Sequence, residues 1–489
     1  MRYALIILAT VALTGCALGA KPRQIILPPA NYTAQELAEP ASAQHPLPLA
    51  DPLQPSDPWR LPSSLLAPLP SALDMRLPAQ VVSGSDSPGL PPLDVVNRAL
   101  DSTPIVRQAQ AHFDAAQAHA RALGAGPYEF ALTGSYIRRR VRNEGNPGRD
   151  YDEFDVQVLR PIRLPGKRTA DDEQGAFEVV AASNRLEDAR HQAALALAST
   201  WYDLVVAREH VALATQALTT QQQTLNAITL QVQNKDAAAL DADRAQIEQA
   251  NALTALARAE GSEGSALARI KVTYPDIPTD VGSASVILDQ PSDTNMRNWR
   301  QRVLGDSHEL RAAQADLEVA AARARRARLD RHGDPSLGLR AFSERGGAEL
   351  GIGVVGVVPF GSGSRGPAAE QAAAEERASA QALLQVRAEV LITADTDLTN
   401  ARAALAAHQS AAAALNSART AVRRLTEGRR QGGVAVADLL YAQRQLHDAQ
   451  MIEIDSRETA ARAVTKLQID AHLLWAPPER EDDAHAMSP

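Results

Sequence analysis

The chain has 489 residues and a formal charge of −8, and although 45% of it is hydrophobic only 4% is aromatic. This acidic balance lacks the basic footprint of a phosphate-binding face, so nucleic acid is excluded as an expected partner. Little aromatic volume beside abundant alanine suits narrow packed helical seams rather than a thick globular core.

At the start, Arg2 supplies a positive charge, Ala4 to Leu13 an apolar run and Leu13-Thr14-Gly15-Cys16 a processing site, so residues 1–15 are expected as a signal peptide. The last four of these residues resemble the lipobox of bacterial lipoproteins, in which the cysteine becomes the acylated first residue. Cys16 is the only cysteine in the sequence, which fits acylation and removes disulfides within one chain. Each acyl chain contributes about 0.8 kcal/mol per buried methylene, so several chains anchor firmly. By the same resemblance, Ala17 in place of aspartate implies the outer membrane. Residues 16–92 hold sixteen of the 30 prolines and read as an extended tether behind the lipid anchor, or as a segment for a proline-binding partner. After the signal no stretch reaches about eighteen uninterrupted apolar residues, the length of a spanning helix.

Residues 93–280 make a first unit. Leu93 to Leu123 is expected as one helix. From Pro127 the period changes to two: Phe130, Leu132 and Tyr136 lead up, and Phe154, Val156 and Val158 lead back. That is a β-hairpin at about 128–160, with strands near the roughly ten residues that cross a bilayer at a tilt. Residues 168–233 then run without proline and with one glycine, Gly175. Leu197, Leu204, Val211, Leu218, Leu225 and Val232 recur at every seventh position, the seam of a coiled-coil rod about 100 Å long. A return helix follows at about 241–274.

The order then repeats. Val106-Arg107-Gln108-Ala109-Gln110-Ala111 matches Leu310-Arg311-Ala312-Ala313-Gln314-Ala315. Pro161-Ile162 with Lys167 matches Pro359-Phe360 with Arg365, and Asp241 with Ala245-Gln246 matches Asp438 with Ala442-Gln443. Three anchors in one order at nearly constant offset mark a duplication. After a linker at 281–292, residues 293–476 form the second unit, with a hairpin at about 335–358, a long helix at 366–427 seamed by Leu384, Leu391, Leu398 and Leu405, and a return helix at 436–474. A polar tail occupies 477–489.

Four strands are too few to close a barrel, and open sheet edges do not sit in lipid, so oligomerisation is required. Two chains give eight strands with a filled interior; three give twelve and begin to leave a passage. From Pro91 to Trp475 the chain resembles the TolC family of outer-membrane efflux ducts, first at Leu93-Asp94-Val95-Val96-Asn97-Arg98-Ala99-Leu100. The sharpest motif lies within Arg423 to Leu446, where Gly432 and Gly433 precede Val436-Ala437-Asp438-Leu439-Leu440-Tyr441-Ala442-Gln443. Pro161-Ile162-Arg163-Leu164-Pro165-Gly166-Lys167-Arg168 resembles the strand-to-helix corner of the heavy-metal branch. The resemblance implies a mainly α fold with a small β part, a long α-helical coiled-coil barrel plus a transmembrane β-barrel completed by trimerisation. It also implies a homotrimer docked to a periplasmic adaptor and an inner-membrane pump, set in outer-membrane lipid and extending into the periplasm.

Gly432 and Gly433 are expected to turn the chain at the rod tips. Asp438 in the first turn of the return helix is favoured by the helix dipole. Three copies near the axis would make an anionic constriction, with a solvated helix-start carboxylate as the alternative. Asp241 and Asp243 are the first-repeat candidates, behind Lys235-Asp236 where the second repeat has glycines. Arg138, Arg139, Arg140 and Arg142 fall on the outer side, either against lipid phosphates or in a solvated loop. His112 and His119 share a helical face without a third ligand, so no metal site is expected. No catalytic constellation or cofactor motif appears, and the chain reads as a passive duct rather than an enzyme. A type I protein secretion duct and a coiled-coil lipoprotein spacer are the alternatives; hairpins with membrane period favour a duct.

Overall fold

The computed structural model describes residues 89–142, 148–280, 285–431 and 433–475. The expected signal peptide, Cys16, most of the tether, Gly432 and the polar tail lie outside the described residues. The first repeat comprises α1 (Leu93–Ser102), α2 (Pro104–Ala125), β1 (Ala131–Val141), β2 (Arg149–Pro161), α3 (Lys167–Gln233) and α4 (Ala239–Thr273). The second comprises α5 (Asp293–Asp306), α6 (His308–Leu329), β3 (Ser336–Glu344), β4 (Glu349–Val357), α7 (Arg365–Arg430) and α8 (Val436–Asp470).

The single helix expected over Leu93–Leu123 is two. Pro104 has no amide hydrogen and its ring crowds the preceding turn, so Thr103 goes extended (φ −68°, ψ 141°). The Thr103 amide and hydroxyl both donate to the carbonyl of Leu100, at 3.0 and 2.6 Å. In the second repeat the break falls at Ser307, whose hydroxyl accepts from the Leu310 amide at 3.1 Å. The duplication keeps the break and changes the chemistry that makes it.

Helix α3 is the hub, packing against α2, α4, α6 and α8. Its one glycine has a local cause: a Cβ on Gly175 would lie 2.8 Å from Cα and 2.9 Å from Cβ of Ala120, so α2 crosses α3 where only hydrogen fits. Between α3 and α8, Arg457 pairs with Glu209 at 2.6 Å, Arg462 with Asp203 at 2.8 Å, and the Tyr202 and Thr465 hydroxyls meet at 2.8 Å. These contacts join the two repeats along one seam. The main core gathers Leu197, Leu204 and Val205 of α3 with Val96, Ile270, Tyr274 and Ile469; burial pushes the Tyr274 hydroxyl up to about 12. Farther along the rod, Val211 and Leu218 are half-buried. Leu230, Leu240, Ile247 and Leu253 are 55–60% exposed, apolar flanks without cover within one chain.

The four strands form one antiparallel sheet in the order β1-β2-β3-β4. The register puts Leu132 opposite Val158, Val158 opposite Leu339 and Leu339 opposite Val354, so one face carries an apolar row across all strands. On β2 the exposed residues are Phe154, Val156 and Val158, while Glu153, Asp155 and Gln157 are half-buried. The pattern inverts that of a sheet with one face on a soluble core. Among the described residues no helix is long and apolar enough to cross a membrane.

Candidate functional site

Two places on the chain bear on conduction: the sheet with its corner, and the tips of the rods. On the apolar face, exposure reaches 73% at Leu132, 85% at Ile352 and 73% at Val354. Aromatic residues bracket the band. Tyr136 and Phe154 pack at its upper edge, ring centroids 5.2 Å apart, and Phe130 lies at its lower edge under the Arg160 guanidinium, 4.9 Å from the ring. The opposite face is charged and internally paired: Arg139 with Glu153 at 2.6 Å, and Arg340 with Asp155. An apolar band between aromatic edges on one side and paired charges on the other is the surface division of a membrane barrel wall.

Below the sheet, the corner ahead of α3 holds an ion cluster around one buried lysine. Lys167 donates to Asp334 at 2.8 Å, to Asp330 at 2.9 Å and to the His332 carbonyl at 2.8 Å. Asp334 also accepts from the Leu164 amide at 3.1 Å and the Tyr128 hydroxyl at 3.0 Å. Burial alone would raise its carboxyl, but the bonds from Lys167, Leu164 and Tyr128 outweigh burial and hold it below the usual range. The cluster fixes the angle at which strand becomes rod.

At the tips, Ile228, Ala245, Val436 and Leu440 form a small core flanked by Leu225, Val232 and Ala242, which sets the starts of both return helices side by side. Asp438 lies in the first turn of α8, exposed and without an ion pair among the described residues. Asp241 lies in the first turn of α4, half-buried and 3.6 Å from Arg244, while Asp243 is exposed. The difference is encoded: Tyr441 of α8 holds the place that Arg244 holds in α4. The Gly433 amide donates to the Gly428 carbonyl at 3.0 Å. In the first repeat Lys235 takes a left-handed conformation, φ 66°, unusual for a side-chain-bearing residue.

Sequence reasoning missed Arg429. Its guanidinium donates to the Val434 carbonyl at 3.0 Å and to Gln231 of α3 at 2.9 Å, tying the second tip to the first. Behind it Arg444 of α8 pairs with Glu248 of α4. An arginine just ahead of a glycine turn was the available signal, but its partner lies a whole repeat away. Of the two histidines read on one helical face, His119 meets Glu178 at 2.5 Å. Carboxylates exposed at adjacent helix starts can attract cations.

The family model described as outer membrane efflux protein matches residues 95–272. Among curated proteins, none matches the chain by sequence. Solved structures share the fold. The outer membrane protein VceC of Vibrio cholerae superposes with a TM-score of 0.66 at 18% identity, covering 78% of this chain and 95% of that one. The MtrE outer membrane channel of Neisseria gonorrhoeae, in its open state, gives 0.61 at 17% identity, covering 78% and 89%. CusC, whose transmembrane channel formation has been described, gives 0.60 at 15% identity, covering 77% and 91%. Over residues 95–272 the chain is therefore similar in sequence to outer membrane efflux proteins, and through most of its length it shares the fold of these outer membrane channels.

Proposed function

We propose that three copies of this chain close a twelve-stranded barrel in the outer membrane, and that their rods continue it as a tube for substrates delivered by an inner-membrane pump through a periplasmic adaptor. The observation that carries this reading is the sheet itself: β1 and β4 are its outer strands, each with one edge unpaired among the described residues, beneath a wholly exposed apolar face. In lipid each unpaired backbone group costs several kcal/mol, and pairing β4 of one copy with β1 of the next removes that cost. The exposed Leu230, Ile247 and Leu253 along the rods ask for the same neighbours. Native mass spectrometry of the detergent-purified chain tests the stoichiometry, with three copies expected and a stable monomer or dimer contradicting it.

Asp438 is the proposed anionic constriction, since it has no ion pair among the described residues while Asp241 is partnered by Arg244. Asp243, in the first repeat, adds a second exposed carboxylate, and Gly433 belongs to the turn ahead of Asp438. The anionic tip favours cationic cargo, and the corner at Pro161–Arg168, similar to that of the heavy-metal branch, favours small substrates over proteins. Cys16 is the proposed lipid anchor on the strength of the Leu13–Cys16 lipobox. A Cys16→Ser chain is expected to take up no radiolabelled palmitate, and continued labelling would refute the anchor.

A further inference from the structure

The outer rim of the membrane-facing sheet carries a feature that conduction does not use. On β1 the apolar face runs Leu132, Gly134, Tyr136 and then changes at once to Arg138 and Arg140, with Arg142 at the next alternate position just past the strand. Alternate residues of a strand share a face at about 6.8 Å spacing, so a row of guanidiniums begins one step above the aromatic edge. The row faces the side on which Leu132 meets lipid.

Among the described residues its charge is only partly answered. Arg138 and Arg140 share one carboxylate, Asp150, at 3.5 and 3.6 Å, both longer than an ordinary hydrogen bond. Asp152, also on this face, accepts from the Tyr136 hydroxyl at 2.7 Å. Arg142 is exposed, and none of the three arginines donates a hydrogen bond within the chain among the described residues. The Arg138 and Arg140 side chains are 66% and 57% exposed. The arginine at the inner rim of the same face differs: Arg160 stacks on Phe130 and donates to the Tyr128 carbonyl at 3.2 Å. The second hairpin offers no equivalent, since its outer turn pairs Arg345 with Glu349 at 3.1 Å.

Open guanidinium forks, set on the lipid side directly above the hydrocarbon band, fit a phosphomonoester, which accepts two parallel N–H bonds from one arginine and carries about −1.5 to −2 charges. We infer that the row Arg138, Arg140 and Arg142 binds the phosphate group of an outer-leaflet lipid, a phosphorylated glycolipid held at the barrel wall. The site rests on the membrane-facing assignment of this face and on neither the substrate nor the pump.

The test uses the full-length protein in detergent, titrated with a diphosphorylated glucosamine-disaccharide lipid and with its dephosphorylated counterpart, and read by native mass spectrometry. The phosphorylated lipid is expected to bind at least tenfold more tightly. The triple variant Arg138→Gln, Arg140→Gln, Arg142→Gln is expected to erase that preference, and the triple Lys variant, which keeps charge and loses the fork, to recover part of it. Equal binding of the two lipids, or an unchanged preference in the triple Gln variant, overturns the proposal. So does displacement of the lipid by inorganic phosphate at equal concentration, which would reassign the row to free anions. Conductance of the triple Gln variant, expected to match that of the unaltered chain, separates failure of this site from failure of the duct.

Discussion

The ammonium of Lys167, 1% exposed, lies 2.8 Å from a carboxylate oxygen of Asp334, joining the corner of the first repeat to the loop that enters the second hairpin. Lys167 is buried and Asp334 half-buried, so removing the ammonium leaves a partly solvated carboxylate without its cation, at about 1–3 kcal/mol. Lys167→Met is therefore expected to lower the yield of folded protein and to shift its denaturant midpoint sharply. Asp334→Asn is expected to cost less, because the Leu164 amide keeps an acceptor oxygen and the Tyr128 hydroxyl can accept from the new amide. The Asp334 carboxyl is held low in the fold, so its stabilisation is present above the ordinary carboxylate range and is lost as pH falls through and below it. A Met variant as stable as the parent at pH 7 would show that the corner is not held by this pair.

A second pH dependence comes from histidines where the repeats meet. His308 begins α6 and His472 follows α8; their rings lie 4.7 Å apart, and His191 of α3 is 5.6 Å from His472, beside a cavity of about 390 Å³. Burial first, then neighbouring His472, Arg311 and His191, lower His308 to about 3. Burial and His191 lower His472 to about 4 against an opposing pull from Asp306. Both groups take protons in the unfolded chain before they do in the fold, so stability falls as pH drops from about 6.5 toward those values. The expected loss is about 1.4 kcal/mol per pH unit for each histidine. The denaturant midpoint of the helical signal should fall between pH 7 and pH 5, and His308→Gln with His472→Gln should flatten the slope. An unaltered chain with a flat profile would remove this role.

At the first tip, the left-handed Lys235 stores backbone strain of about 1 kcal/mol that glycine would not. Lys235→Gly is expected to slow amide hydrogen exchange in residues 231–238 by about fivefold, the equivalent of that energy. Faster exchange would mean that the lysine side chain, and not the turn, orders the tip.

The repeats, the helical rods and the strands were legible in the sequence because each rests on a local period. Leu197 to Val232 repeat every seventh residue, Leu350 to Val354 alternate, and both patterns have a counterpart in the other repeat. The break at Thr103 was signalled by Pro104 and overridden by the strong helical pattern on both sides. What remained hidden depends on contacts between repeats. Arg429 reaches Gln231, Lys167 reaches Asp334, and His191 meets His472, pairs whose sequence separations carry no periodic signal. The tip acids were visible as residue types, but their inequality was not. It follows from Arg244 lying beside Asp241 while Tyr441 takes that place beside Asp438.

That inequality predicts the electrical behaviour of the tips. A unit charge about 7 Å from a permeating ion in water is worth about 0.6 kcal/mol, a factor of about three. Asp438→Ala is expected to lower the cation-to-anion permeability ratio by at least that factor, and Asp241→Ala by less. Equal effects, or none at Asp438, would remove the constriction from this tip.

The most direct measurement is the conductance of the purified full-length chain in a planar lipid bilayer, recorded beside its native mass. Discrete, cation-favouring channel openings from a species of three copies are the expected result. A protein that inserts as three copies and conducts nothing under any voltage, or that conducts as a monomer, would contradict a tube built from shared strands and rods.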